Sequence, residues 1–109
     1  MTDKTRKYLF DILEAVISIE SYISNIDFIK YQKNKMIRRA VERELEIIGE
    51  AMNNLLKADS SVKITSAERI IGMRNRVIHG YDKIDDGLVW GTIKKHLPVL
   101  KEEISELLK

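Results

Sequence analysis

The sequence predicts an all-α fold, an antiparallel bundle of four to five helices. Five Gly and one Pro in 109 residues leave few chain breakers. Apolar residues recur at helical steps of three and four instead of alternating. Short runs of turn and capping residues separate these periodic stretches, and no low-complexity tract, internal repeat or Pro/Ser-rich linker interrupts them.

The first helix is expected from about Asp3 to Ser24, with Leu9, Ile12, Leu13, Val16, Ile17 and Ile23 near one face. Asn25-Ile26-Asp27 follows as a connector, since Asn and Asp favour turns and caps. A second helical region runs from Asp27 to about Lys57, and Asn34 is the place where it would break. Its core stripe is Ile37, Val41, Leu45, Ile48, Met52 and Leu55, at steps of 4, 4, 3, 4 and 3. Met36, Ala40, Ile47 and Ala51 widen that stripe beyond what one bundle core needs, which predicts a homodimer in which a second chain covers part of it. Gly49 costs a helix interior roughly 1 kcal/mol relative to Ala, so another helix is expected to approach closely there.

Ala58-Asp59-Ser60-Ser61 reads as a loop. Thr65-Ser66-Ala67-Glu68 has the T-x-x-E form of a capping box, in which a Thr hydroxyl and a Glu carboxylate satisfy the first N–H groups of a helix reciprocally. A third helix is therefore expected from about Ser66 to His79, ended by Gly80 as a left-handed C-terminal residue. Tyr81 to Asp85 is a connector. Asp86 is expected to cap a last helix carrying Ile93, Leu97, Leu100, Ile104 and Leu107, which Pro98 should kink or divide.

Length and composition bound the function. The chain fits one domain, 1–109, large enough for a real core. Zero Cys removes disulfides, thiolate metal sites and a cysteine nucleophile, and two His without Cys argue against zinc, so no metal or cofactor is expected. Apolar runs of four or five residues are far short of the roughly 20 that span a bilayer. The polar opening Met1–Lys7 has no signal-peptide pattern, so no membrane partner and a cytoplasmic location are expected. The 19 basic and 17 acidic side chains give a net charge of +2, too little to imply nucleic-acid binding. Two acid-free basic stretches, Lys30 to Arg39 and Arg69 to Arg76, read first as solvated helix faces.

One segment carries chemistry. Arg74-Asn75-Arg76-Val77-Ile78-His79-Gly80-Tyr81 gathers two guanidiniums, an amide, an imidazole and a phenol around one helix end. Asn75 and His79 share a face, as do Arg76 and His79, but Arg74 and His79 lie about 140° apart on a regular helix. They converge on one substrate only if the helix distorts or a two-fold partner supplies one of them. Such a set suits phosphoester cleavage without metal. His79 can exchange protons with a ribose 2′-hydroxyl or a leaving 5′-oxygen. Arg74 offers a fork of donors matched to phosphate oxygens. The plainer reading makes His79 a C-terminal capping side chain, Arg76 a surface residue, and Tyr81 core or surface.

Arg74-Asn75-x-x-x-His79-x-Tyr81 is similar to the R-x4-H-x-Y motif of HepT-like toxins, a branch of the HEPN superfamily of helical nucleases. Arg43-Glu44-Leu45-Glu46-Ile47-Ile48-Gly49-Glu50-Ala51 resembles that family's second-helix signature, and Val89-Trp90-x-Thr92-Ile93 with Leu97-Pro98 its last-helix signature. The three lie in register from about Ile37 to Ile104. The resemblance implies a HEPN-like bundle and a metal-independent endoribonuclease, the toxin of a type VII toxin–antitoxin pair. Its catalytic Arg and His carry over to Arg74 and His79, with Asn75 and Arg76 supporting the site, in the cleft of a homodimer. It further implies an RNA substrate and a minimal nucleotidyltransferase antitoxin that transfers AMP from ATP onto Tyr81. Bulk and negative charge there would block an RNA phosphate. Arg43 and Glu50 share a face and would both line the cleft, although an ion pair holding two helices together is the simpler role. Two other readings remain open: a catalytically silent binding module that docks and is modified by a nucleotidyltransferase, and a nucleotide-binding accessory domain using Arg74 to Arg76.

Overall fold

Asn34 and Pro98 set the number of helices. The computed structural model describes residues 1–79 and 84–109, and the chain is all-helical there. Helix α1 spans Asp3–Tyr22, α2 Phe28–Lys33, α3 Lys35–Ala58, α4 Ala67–His79, α5 Asp86–Lys95 and α6 Leu97–Leu107. Asn34 leaves helical geometry, and its side chain accepts from the N–H of Ile37, so it ends α2 and caps α3. Pro98 lies in the first turn of α6, where its missing N–H would have no helical partner anyway. These two breaks make six helices among the described residues from the four or five periodic stretches. The expected stop at Gly80 and the candidate modification site Tyr81 lie outside the described residues.

Two caps differ from expectation. Asp85 rather than Asp86 caps α5, accepting from the Leu88 N–H at 3.0 Å. The T-x-x-E box at Thr65 does not form. α4 begins at Ala67, one residue later than a box on Thr65 requires. Thr65 instead donates its N–H and its hydroxyl to Glu103 of α6, at 3.2 and 2.9 Å, while Glu68 stays exposed.

α3 is the central element, packed by α1 on one side and α4 on the other. Tyr22 at the end of α1 donates to Glu44 at 2.8 Å, whereas Tyr8 and Asp11 near its start flank Glu50 and Asn54, so α1 and α3 run antiparallel. Val41, Leu45, Ile48, Met52 and Leu55 are buried against Leu9, Ile12, Val16 and Ile19. Each such side chain contributes about 1.5–3 kcal/mol by leaving water. Ile19 completes the α1 stripe, while Ile17, expected there, is 48% exposed. Of the residues that widen the α3 stripe, Ala51 is buried, Ala40 and Ile47 are half-buried and Met36 is 79% exposed, so the chain itself covers that width only in part.

α6 returns along α1, with Leu100 and Ile104 buried and Lys101 bonded to Glu20 at 2.8 Å. Phe28 and Tyr31 of α2 stack at tilted angles on Trp90 of α5, with ring centroids 6.2 and 5.2 Å away. Tyr31 is fully buried, and burial pushes its phenol well above the ordinary range.

Candidate active site

The candidate residues lie on the last two turns of α4, and a glycine on α3 decides how they are held. A Cβ built on Gly49 would stand 2.1 Å from Arg74 Cβ and 2.6 Å from its Cγ. No side chain fits there, so the two helices can only be this close because position 49 is glycine. The Arg74 stem therefore lies across α3 and its guanidinium emerges beside Glu50. Nη2 donates to Glu50 Oε2 at 2.6 Å and Nη1 to Asn75 Oδ1 at 3.0 Å, while Nε is buried without a partner. Charge-assisted bonds from two sides fix the guanidinium plane.

That guanidinium faces an open cleft of 360 Å³ between α1, α3 and α4. Arg43 lines the same cleft but pairs with Glu46 of its own helix at 3.2 Å. The ion pair that joins two helices is thus Glu50–Arg74, not one made by Arg43. Each of its carboxylates has a cationic partner, Glu50 in Arg74, Glu46 in Arg43 and Asp11 in Lys7 at 2.7 Å, so the charges lining this cleft are paired.

His79 points elsewhere. With Asn75 and Arg76 it lines a second cleft, of 400 Å³, walled by Ile84, Leu88 and Val89. α4 stays helical through His79, so the angular separation expected of five helical residues is realised. One chain thus brings His79, Asn75 and Arg76 together and turns Arg74 away from His79 and Arg76. Asn75 is the link, because its amide oxygen holds Arg74 while the residue borders the His79 cleft. Among the described residues, no group of three or more His, Asp and Glu is gathered closely enough to hold a metal ion.

Sequence reasoning missed Glu50 as the partner of Arg74, and missed the contribution of Tyr8 and Asp11 from α1. A signal for the first was present in Gly49-Glu50, where a glycine admits a neighbouring side chain next to a carboxylate able to hold it. Nothing in the local sequence announces the second. A further histidine, His96, sits between α5 and α6 with Nδ1 3.3 Å from Ser66 Oγ. Desolvation, followed by the nearby Arg69 and Lys95, pushes its pKa below the usual imidazole value. No described helix is long and apolar enough to cross a membrane.

Comparison with known proteins agrees with the motif. The ribonuclease HepT-like family profile matches residues 12–107. The chain is 38% identical over 101 residues to a Methanocaldococcus jannaschii protein named as a putative RNase, covering 91% of this chain and 92% of that one. A putative RNase of Caldanaerobacter subterraneus subsp. tengcongensis is 36% identical over 106 residues, covering 95% and 94% of the two chains. A protein of Thermococcus cleftensis named probable ribonuclease HepT is 35% identical over 105 residues, covering 95% and 96%. No solved structure gives a significant match. The chain belongs to the HepT-like ribonuclease family.

Proposed function

We propose that this protein is a metal-independent endoribonuclease that cleaves RNA through Arg74 and His79, in a site completed by a second copy of the chain. The observation that carries the reading is the end of α4, where a family ribonuclease motif presents an arginine held in a fixed plane and an exposed imidazole. In the reaction the 2′-oxygen bonds to phosphorus and the bond to the 5′-oxygen breaks. The 2′-hydroxyl loses its proton and the 5′-oxygen gains one, leaving a 2′,3′-cyclic phosphate and a 5′-hydroxyl. His79 carries a proton at one of these two oxygens. Arg74 donates to the non-bridging phosphate oxygens as their charge develops. Asn75 orients Arg74, and Arg76 holds RNA beside His79.

The divergence of Arg74 and His79 supports a composite site, since a two-fold partner can bring its own Arg74 to this chain's His79. Ile78 and Met36, exposed apolar residues near and beyond the Arg74 cleft, suit a contact between copies. As the toxin of a type VII pair, the protein would be neutralised by AMP transfer onto Tyr81, two residues beyond His79, by a minimal nucleotidyltransferase.

A second reading is favoured by one observation: within one chain, both terminal nitrogens of Arg74 already bond to Glu50 and Asn75. On that reading the protein is a silent module that docks the nucleotidyltransferase and serves as its substrate. Incubating a generic RNA in EDTA with the wild type and with His79→Ala separates the two. Cleavage by the wild type alone supports the enzyme. Cleavage by neither, from protein whose intact mass excludes AMP, supports the module.

A further inference from the structure

The His79 cleft is one end of a longer groove. Met73, Arg76 and Leu88 border both that cleft and a neighbouring one that reaches Arg69 and Gly72. Arg69 and Leu88 border a third, which ends at Gly91, Lys95 and His96. On α4 the positions Arg69, Gly72, Arg76 and His79 follow steps of three, four and three, so they stay on one side of the helix. At the helical rise, Arg69 stands about 15 Å from His79 along the axis.

Charge separates the two sides of α4. In the Arg74 cleft every carboxylate and both arginines are ion-paired, as described above. The groove carries Arg69, Arg76 and Lys95, none of which makes an ion pair among the described residues. Among the described residues its acids are Glu68 and Asp85, and the Asp85 carboxylate accepts from the Leu88 N–H. The floor is bare, because nothing lies within 4 Å of where a Cβ on Gly72 or on Gly91 would stand. A polyanion can therefore approach the helix backbones between flanking cations.

We infer that this groove seats single-stranded RNA on one side of the cleaved bond, with Arg76, Arg69 and Lys95 meeting its phosphates in turn. The inference rests on the ribonuclease reading and adds the path of the strand to it. The strand is single because in-line attack by a 2′-hydroxyl needs a nucleotide freed from A-form geometry. Phosphate contacts of this kind hold position without reading sequence.

The test is anisotropy of a fluorescein-labelled RNA 12-mer, 2′-O-methylated throughout so that it cannot be cleaved, titrated at several salt concentrations. Arg69→Gln with Lys95→Gln should weaken binding roughly tenfold and flatten the salt slope by about 1.4, at about 0.7 per lost phosphate contact. Lys4→Gln with Lys30→Gln removes the same charge from residues that line none of the clefts, and should change affinity less than about twofold. Gly72→Leu fills the floor without removing charge and should also weaken binding. The groove is overturned if the wild type does not bind, if Arg69→Gln with Lys95→Gln binds as the wild type does, or if the control pair loses as much. Cleavage of the unmethylated 12-mer, run in parallel, reads the other claim: loss of His79-dependent cleavage sinks the ribonuclease reading, while unchanged binding sinks only the groove.

Discussion

Gly49 and Arg74 touch across α3 and α4 so closely that a methyl group on Gly49 would lie 2.1 Å from Arg74 Cβ. Gly72 and Gly91 are also helical, but a methyl group there would meet nothing within 4 Å. The same substitution should therefore act with opposite signs. Gly49→Ala forces overlap with atoms next to the α4 backbone, which cannot swing away, and should destabilise by at least about 1 kcal/mol. Gly72→Ala and Gly91→Ala should stabilise by up to about 1 kcal/mol through helix propensity and a less flexible unfolded chain. Urea unfolding of the three variants checks this, and a stable Gly49→Ala protein would contradict the close approach.

The two glutamates near the start of α4 give a second contrast. Glu103 accepts both the N–H and the hydroxyl of Thr65, whereas Glu68 makes no capping bond. Glu103→Ala should cost about 1 kcal/mol, the usual worth of a capping interaction. Glu68→Ala should stay within about 0.5 kcal/mol. A reversed order in chemical denaturation would restore the local capping box.

Asn75 is exposed but braces Arg74. Asn75→Ala should leave the unfolding midpoint nearly unchanged and lower kcat for RNA cleavage about 10- to 100-fold, since misplacing a catalytic group by about 1 Å costs on that scale. Equal kcat in the variant would remove Asn75 from the site.

His96 predicts how stability depends on pH. Its folded pKa is depressed, so below the ordinary imidazole value the unfolded chain binds the extra proton more readily. The stabilisation is complete above about pH 6.5 and shrinks as pH falls from there towards the folded pKa. The wild type should lose more urea resistance between pH 7.5 and pH 5.5 than His96→Gln does. Parallel losses in the two proteins would assign the pH dependence to other groups.

Helix positions were legible because burial imposes its period on the chain. Val41 to Leu55 line the core as their spacing requires, and Asn34 and Pro98 break the helices for local reasons any sequence displays. The divergence of Arg74 from His79 also followed from 100° per residue alone. Partner choice was not legible where partners are distant. Thr65 and Glu103 are 38 positions apart, and Glu50 and Arg74 are 24 apart, so only packing selects them. The T-x-x-E pattern competed with Glu103 for the same N–H and lost. A close helix approach at Gly49 was legible, but that α4 and its Arg74 make it was not.

Subunit complementation tests the central claim most directly. Arg74→Ala and His79→Ala proteins are assayed separately and after mixing under exchange, with RNA in EDTA. Each alone should be inactive. Random exchange makes half the dimers mixed, and each mixed dimer holds one intact site of two, so the mixture should recover about a quarter of wild-type activity. Cleavage by His79→Ala alone would contradict the assignment of the proton-transfer residue. An inactive mixture beside an active wild type would contradict a site shared between two chains.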